Sequence, residues 1–288
     1  MPKQLKLIHL VIILCLSVFA FSTHSIASQK DGLLKVHFFD IGQGDSVFIE
    51  SPSGYQVLID GGPDNKILSK LGEVMPFYDK DIDVLVASHP HADHIVGLID
   101  VLARYDVKNI VEAKESYNSA EYQAWEDVIA EEDTKEIEAI SGKIIDIGDG
   151  VTLTILYPFE SVAGIETKTP HDDGVVVMLR YGEFEVILTG DMETKVERRL
   201  IMEGYDLDAD VLKVGHHGSK TSSSEEFLSA VSPEVAVIQV GVKNRYGHPS
   251  PEVLERFENY DIKYYRNDLN GDIKLISDGK NYLISTEK

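Results

Sequence analysis

SHPHADH, residues 88–94, crowds three histidines and an aspartate into seven positions directly behind the apolar run DVLVA, residues 83–87. The apolar run reads as a buried strand, and HIVGLIDVLARY, residues 94–105, carries apolar residues at helical spacing. The cluster therefore occupies a strand-to-helix loop, where α/β proteins tend to place their chemistry. His89 and His91 lie two apart on an extended loop and can point to one centre, while Asp93 and His94, at the start of the helix, can point to a second. Two metals about 3.5–4 Å apart can stabilise both the attacking and the leaving oxygen of a displacement. A solvated polar loop is the bland alternative, and the ligand-like spacing counts against it.

The same alternation of strands and helices runs outward in both directions. LLKVHFF (33–39) and YQVLID (55–60) read as strands flanked by the loop residues of IGQGDS and SPSG. The acidic segment at 119–140 is helix-prone, and KIIDIGDGVTLTILYP (143–158) reads as strand, turn, strand. GVVVMLRYGEFEVILTGD (174–191) reads as a hairpin, followed by an amphipathic helix (192–205), a buried strand (208–215), a capped helix (222–231) and a further strand (234–241). The closing stretch, 264–285, is expected to be a meander with Asn270-Gly271 and Asp278-Gly279 at its turns. Layers of sheet flanked by helices follow from this order, as one domain over residues 28–288.

The first thirty residues differ in kind. Two lysines precede an apolar run from about Leu7 to Phe21, and Ser25 and Ala27 stand where a cleavage site needs small residues. Residues 1–27 are read as a secretory signal peptide, with an uncleaved membrane anchor as the rival, and the mature chain is expected to be secreted. Cys15 is the single cysteine and lies in that leader, so metal ligands must come from His, Asp, Glu or Asn. The formal charge of −22 repels phosphate backbones at long range, which argues against a dedicated nucleic-acid-binding module but not against a local cleft that meets a polyanion.

Of the ten histidines, His9 and His24 fall in the leader. Seven of the rest, His89, His91, His94, His171, His216, His217 and His248, end apolar runs or sit in adjacent Gly/Pro-rich loops. Histidines in structural roles would scatter over helix faces. These point instead to convergence at one rim of a sheet.

HPHADH is similar to the H-x-H-x-D-H signature of the metallo-β-lactamase superfamily. HFFDIGQGDSVFIE, VLIDGG, LTGD, VLKVGHHGSKTSSS and NRYGHPSPEVLE resemble the hydrolase domain at the C-terminus of ComEC-type DNA-uptake proteins, from about residue 34 to residue 275. The multi-helix membrane channel that carries the domain in those proteins is absent from this sequence, so DNA transport does not carry over. The resemblance implies a four-layer αββα fold and two divalent metal ions, Zn²⁺ or Mn²⁺. His89 and His91 match ligands of the first metal, Asp93 and His94 of the second, and Asp191 the bridging carboxylate. Asp60 matches an aspartate that orients the metal loop, and Asp45 is a further candidate for holding loops.

His216 and His217 follow where the superfamily supplies its last histidine. His216 is taken as the ligand and His217 as the residue facing substrate, although spacing does not distinguish them, and His248 competes for either job. Lys220 is a candidate for stabilising transition-state charge, and the helix start at Ser222–Ser224 for holding an anion. The clearest departure is PHDDG, residues 170–174, where relatives show Asn-x-Asn-Ser; His171 there is a candidate third ligand of the first metal.

The expected activity is a secreted metal-dependent phosphodiesterase or nuclease, with extracellular DNA or a small phosphodiester as substrate. A phosphocholine esterase, lactonase or β-lactamase would use the same ligands. A secreted metal- or DNA-binding protein without catalysis is the non-enzymatic alternative. DLNGD, residues 268–272, lacks the glutamate of a calcium loop and reads as a turn, and Tyr122 and Trp125 read as helix packing.

Overall fold

A computed structural model describes residues 32–132 and 134–288, and the expected leader lies outside the described residues. In the first half the chain forms β1 (Leu34–Phe38), β2 (Val47–Glu50), β3 (Gln56–Ile59), α1 (Lys66–Val74), β4 (Asp81–Ile82), β5 (Val84–Val86), α2 (Ala92–Leu102), β6 (Asp106–Val107), β7 (Asn109–Glu112), α3 (Ala120–Glu131) and β8 (Lys135–Glu138). The second half adds β9 (Ile144–Asp146), β10 (Val151–Tyr157), β11 (Val176–Tyr181), β12 (Phe184–Leu188), α4 (Thr194–Glu203), β13 (Val211–Lys213), α5 (Glu225–Val231), β14 (Val235–Ile238), α6 (Pro251–Asn259), β15 (Lys263–Arg266), α7 (Asn267–Asn270), β16 (Ile273–Ser277) and β17 (Tyr282–Thr286).

The strands build two large mixed sheets, β17-β16-β1-β2-β3-β5-β7-β8 and β15-β14-β13-β12-β11-β10-β9. Period-two alternation stacks them. In β5, Val84 and Val86 join the core between the sheets, whereas Leu85 faces α2 and α3. In β12 and β13, Val186, Leu188 and Val211 enter the same central core, whereas Ile187 and Leu212 pack against the helices of the second sheet. Both faces of the central strands are covered, so they read as unbroken apolar runs. Three apolar layers therefore separate four layers of structure, αββα.

The site follows from strand direction. β3, β5 and β7 run parallel in one sheet, and β12, β13, β14 and β15 in the other, so each set releases its loops at one edge. The loops leaving β3, β5, β12, β13 and β14 carry Asp60, His89–His94, Asp191, His216–His217 and His248 respectively.

Two elements differ from the sequence reading. The Asn270-Gly271 turn lies on α7, which carries the chain from β15 in one sheet to β16 in the other, so only β16 and β17 form the expected antiparallel pair, turning at Asp278-Gly279. Asp272 is used there as a tether, accepting from Lys70 Nζ at 2.9 Å and from the Asp40 amide at 2.6 Å. The helix-prone stretch ends at Glu131, and residues 135–138 become an edge strand beside β7. Among the described residues no helix is long and apolar enough to cross a membrane.

Candidate metal centre

Close backbone contact sets the metal loop. The start of α2 lies against the Asp60-Gly61-Gly62 turn: Gly61 N donates to His94 O at 2.8 Å, and Gly97 N to Gly62 O at 2.9 Å. A Cβ on Gly97 would stand 2.0 Å from the Gly61 carbonyl oxygen, so no side chain fits at this crossing. Asp60 itself sits at φ 59, a left-handed conformation uncommon for a residue with a side chain. From there its carboxylate accepts from the Ser88 amide at 2.8 Å and the Ser88 hydroxyl at 2.6 Å, and reaches His94 Nδ1 at 2.8 Å. Fixing Nδ1 turns His94 Nε2 toward the centre, the expected use of a carboxylate behind a ligand histidine.

Two groups of donors gather around Asp191. His89, His91, His171 and Asp191 form one, and Asp93, His94 and His217 the other, with the candidate ligand atoms of each group within 4.8 Å of one another. Asp191 Oδ2 serves both, at 3.5 Å from His94 Nε2, 3.7 Å from His89 Nε2, 3.7 Å from His217 Nε2 and 3.8 Å from His171 Nε2. His171 arrives because the PHDDG loop is pinned to the metal loop, Val175 N donating to Ser88 O at 2.7 Å. Its Nε2 lies 3.1 Å from His91 Nδ1.

The structure separates His216 and His217 by burial. Both adopt left-handed backbone, φ 45 and φ 52, in the turn after β13. That twist buries His217, whose Nδ1 meets Gln239 O at 2.9 Å and Asp45 Oδ1 at 3.2 Å and whose Nε2 lies 3.4 Å from Asp93 Oδ2. His216 stays half-buried on the cavity wall, with Nδ1 2.9 Å from Glu193 Oε1. His217 thus belongs to the second donor group, while His216, on the more open side, forms a smaller one with His171 and Glu193, its Nε2 4.0 Å from Asp191 Oδ2. His248 joins neither donor group and lines the cavity.

Lys220 does not reach the site. Ser219 is buried, whereas Thr221, whose Oγ1 donates to Glu193, and Lys220 are exposed, and Lys220 lies off the cavity wall. Nor is the helix start at Ser222–Ser224 open to an anion from outside, since Glu197 fills it, accepting from the amides of Ser223 at 2.5 Å and Ser224 at 3.0 Å.

A different lysine stands behind the donor cluster: Lys213, buried at 2% exposure, whose ammonium pairs with Asp45 and donates to Gly190 O at 2.7 Å. The sequence signal for it is a lysine inside an apolar strand, VLKV at residues 211–214. Glu193, two residues after Asp191, was also missed. It does not cap α4, and its carboxylate instead serves His216 and Thr221.

The unpaired atoms identify what the cluster would bind. His94 Nε2, His217 Nε2 and Asp191 Oδ1 are buried without a hydrogen-bond partner, at a cost that a coordinated cation would remove. Burial and then His94 push His89 well below the ordinary imidazole range, and burial and then His171 lower His91 to about 4. Burial opposes charge on His217, but Asp191 and Asp45 prevail and raise it to about 10; on His94, Asp191 and Asp60 likewise outweigh burial. Asp93 is lowered to about 2, burial opposing and the His217 hydrogen bond prevailing, and Asp191 is held well below the usual carboxylate range by His217 and His94 against burial. Ionised carboxylates and neutral imidazoles are ligand-ready, and His94 and His217 mark where positive charge is stabilised. The donors are all nitrogen and oxygen, a set that suits zinc, manganese or iron.

Above the cluster opens a cavity of about 390 Å³, walled by Gln43, Tyr117, His216, Tyr246 and His248.

The model of the metallo-beta-lactamase superfamily matches residues 39–242. The chain is 32% identical over 257 residues to ComE operon protein 3 of Bacillus subtilis, covering 83% of this chain and 32% of that protein. It is 32% identical over 250 residues to Competence protein ComA of Neisseria gonorrhoeae, again covering 83% and 32%. To Recombination protein 2 of Haemophilus influenzae it is 29% identical over 271 residues, covering 92% and 31%. The chain spans about a third of the length of these curated relatives. Among solved structures, CmlA, a diiron beta-hydroxylase from Streptomyces venezuelae, superposes with a TM-score of 0.54 at 14% identity, over 85% of this chain and 54% of that one, and shares the fold alone.

Proposed function

This chain belongs to the metallo-beta-lactamase superfamily, whose members are generally metal-dependent hydrolases, and we propose that it is a phosphodiesterase working with two divalent metal ions. One observation carries the reading: a single carboxylate oxygen, Asp191 Oδ2, lies within 4 Å of ring nitrogens from both donor groups. His89, His91, His171 and Asp191 would hold the first ion, and Asp93, His94, His217 and Asp191 the second. The charges agree. With the five ligand imidazoles neutral, as coordination requires, Asp45, Asp60, Asp93 and Asp191 against Lys213 give three negative charges, and two divalent cations would reverse this to one positive, the sign a phosphodiester anion needs.

Bound metals would supply Lewis acidity and a lowered water pKa. The residues of the chain do the rest. Glu193 holds the His216 ring by Nδ1 on the cavity wall beside His248, where its imidazolium form would donate from Nε2 to a phosphoryl oxygen. Asp93, on the cavity wall, would accept a hydrogen bond from the attacking water and orient it. Asp60 and Ser88 keep His94 in place throughout. A phosphodiester is favoured over a lactam or lactone by the likeness to competence and recombination proteins, which points to DNA. Export is a second part of the proposal and rests on residues 1–27. A chain recovered from culture medium and starting near residue 28 would support it, and the intact chain in the cytoplasm would end it.

The test of activity is hydrolysis of bis-(p-nitrophenyl) phosphate beside nitrocefin, after chelation and re-addition of Mn²⁺ or Zn²⁺. Metal-dependent cleavage of the phosphodiester alone is expected. Cleavage of nitrocefin alone would move the chain to lactam or lactone chemistry.

A further inference from the structure

The wall of the cavity carries a second kind of chemistry. Tyr246 lines the opening and is 61% exposed, a large aromatic ring left in water. One face is taken: it stacks on His248 with centroids 5.9 Å apart and an interplanar angle of 16°. His248 in turn lies 5.7 Å from His216, and His216 4.2 Å from His171, so a file of rings descends from the rim to the candidate metal cluster. Across the cavity Tyr117 stands edge-on to His91, at 5.5 Å.

The loop that presents Tyr246 is built rather than loose. Asn244 closes its neck, donating from Nδ2 to Gly241 O at 3.1 Å and to His248 O at 2.8 Å, and accepting from the His248 amide at 2.9 Å. Gly241 is seated on Gln43, where a Cβ would come within 2.6 Å of the Gln43 nitrogen. The loop also runs against the charge of the whole. In a chain of formal charge −22, Lys243 and Arg245 flank Asn244, and the Arg245 guanidinium lies over the Tyr246 ring, 5.9 Å from its centroid, on a side chain long enough to swing from the ring to a backbone phosphate.

An exposed planar ring, held from behind and flanked by cations at the mouth of a phosphodiesterase site, suits a ligand with planar bases on a phosphate backbone. We propose that Tyr246 is a base-stacking platform, with Arg245 and Lys243 meeting the backbone, and that the substrate class is a single-stranded polynucleotide rather than an aliphatic phosphodiester. The proposal rests on the phosphodiesterase reading and narrows it. Stacking is sequence-tolerant because every base has a π-face, and only the phosphate contacts weaken steeply with salt.

The test is binding of fluorescein-labelled hexathymidylate to the metal-reconstituted protein by anisotropy, against an abasic hexamer of equal charge. Both carry phosphorothioate linkages to resist cleavage. The wild type is expected to bind the base-bearing strand roughly tenfold more tightly. Tyr246→Ala should reduce that preference to nothing, while Tyr246→Phe keeps it. Arg245→Ala should weaken both strands alike and flatten the salt dependence. Equal binding of the two strands by the wild type, no binding of either, or an undiminished preference in Tyr246→Ala would overturn the platform. Base-dependent binding by a protein that cleaves no phosphodiester would sink the activity and leave the platform standing.

Discussion

The two sheets contribute to the site in different ways. The first delivers His89, His91, Asp93 and His94 from one seven-residue loop, braced by Asp60 from the neighbouring strand end. The second delivers His171, Asp191, His216, His217 and His248 from four separate loops spread over the sequence. A contiguous loop fixes its ligands through local backbone, whereas scattered loops fix theirs only when the parallel strands align their ends. The first half is therefore written in spacing, and the second in topology.

The largest test of this contrast removes the residue that joins the halves. Asp191→Ala is expected to lose both metals and activity while keeping a native circular dichroism spectrum, an effect beyond the roughly 10- to 100-fold cost of losing a ligand's hydrogen-bond partner. Retained metal and turnover would break the account of a shared carboxylate. Next comes the adjacent pair. His217→Ala should lose one metal equivalent, whereas His216→Ala should keep both and lose kcat/KM by roughly a hundredfold, as for a lost transition-state donor. The reverse pattern in metal analysis would restore the assignment suggested by sequence position.

A smaller effect is expected behind the first loop. Asp60→Asn leaves His94 in place but removes its anionic support, and titration should show metal affinity weakened by roughly 10- to 100-fold. Unchanged affinity would mean that packing alone orients His94.

The smallest concerns Glu112, which is buried under the first loop and accepts from Trp125 Nε1 at 2.9 Å. Burial raises its pKa from 4.5 to about 7. The protonated form is the one the fold prefers, so stability is full below the unfolded pKa and is lost as pH rises through about 7. The loss is at most about 3 kcal/mol. Glu112→Gln should therefore raise the melting temperature at pH 8 more than at pH 5, and an equal shift at both would show that Glu112 ionises freely.

Legibility in the sequence follows the same division. The alternation of strand and helix and the clustering of donors in the first loop are legible directly, because hydrophobic period and short spacing are local, whereas the four-layer arrangement follows from the family resemblance. DLNGD was read as a hairpin because turn chemistry does not reveal that the strands on either side belong to different sheets. His216 and His217 could not be told apart, since two successive left-handed residues reverse which ring enters the core and nothing in Gly-His-His-Gly announces it. Lys220 is a candidate by position, yet it is exposed and off the cavity wall, while Lys213 lies inside a strand where burial makes a charge costly unless paired. Tyr246 carries no signal in the sequence, because an aromatic in a loop gains meaning only beside the cavity it borders.

The most direct test of the central claim is the metal content of the purified chain after reconstitution with Mn²⁺ or Zn²⁺ and exhaustive dialysis, counted by mass spectrometry. Two tightly held ions per chain are predicted, falling to one in His217→Ala; a single ion or none in the wild type would contradict a centre shared through Asp191.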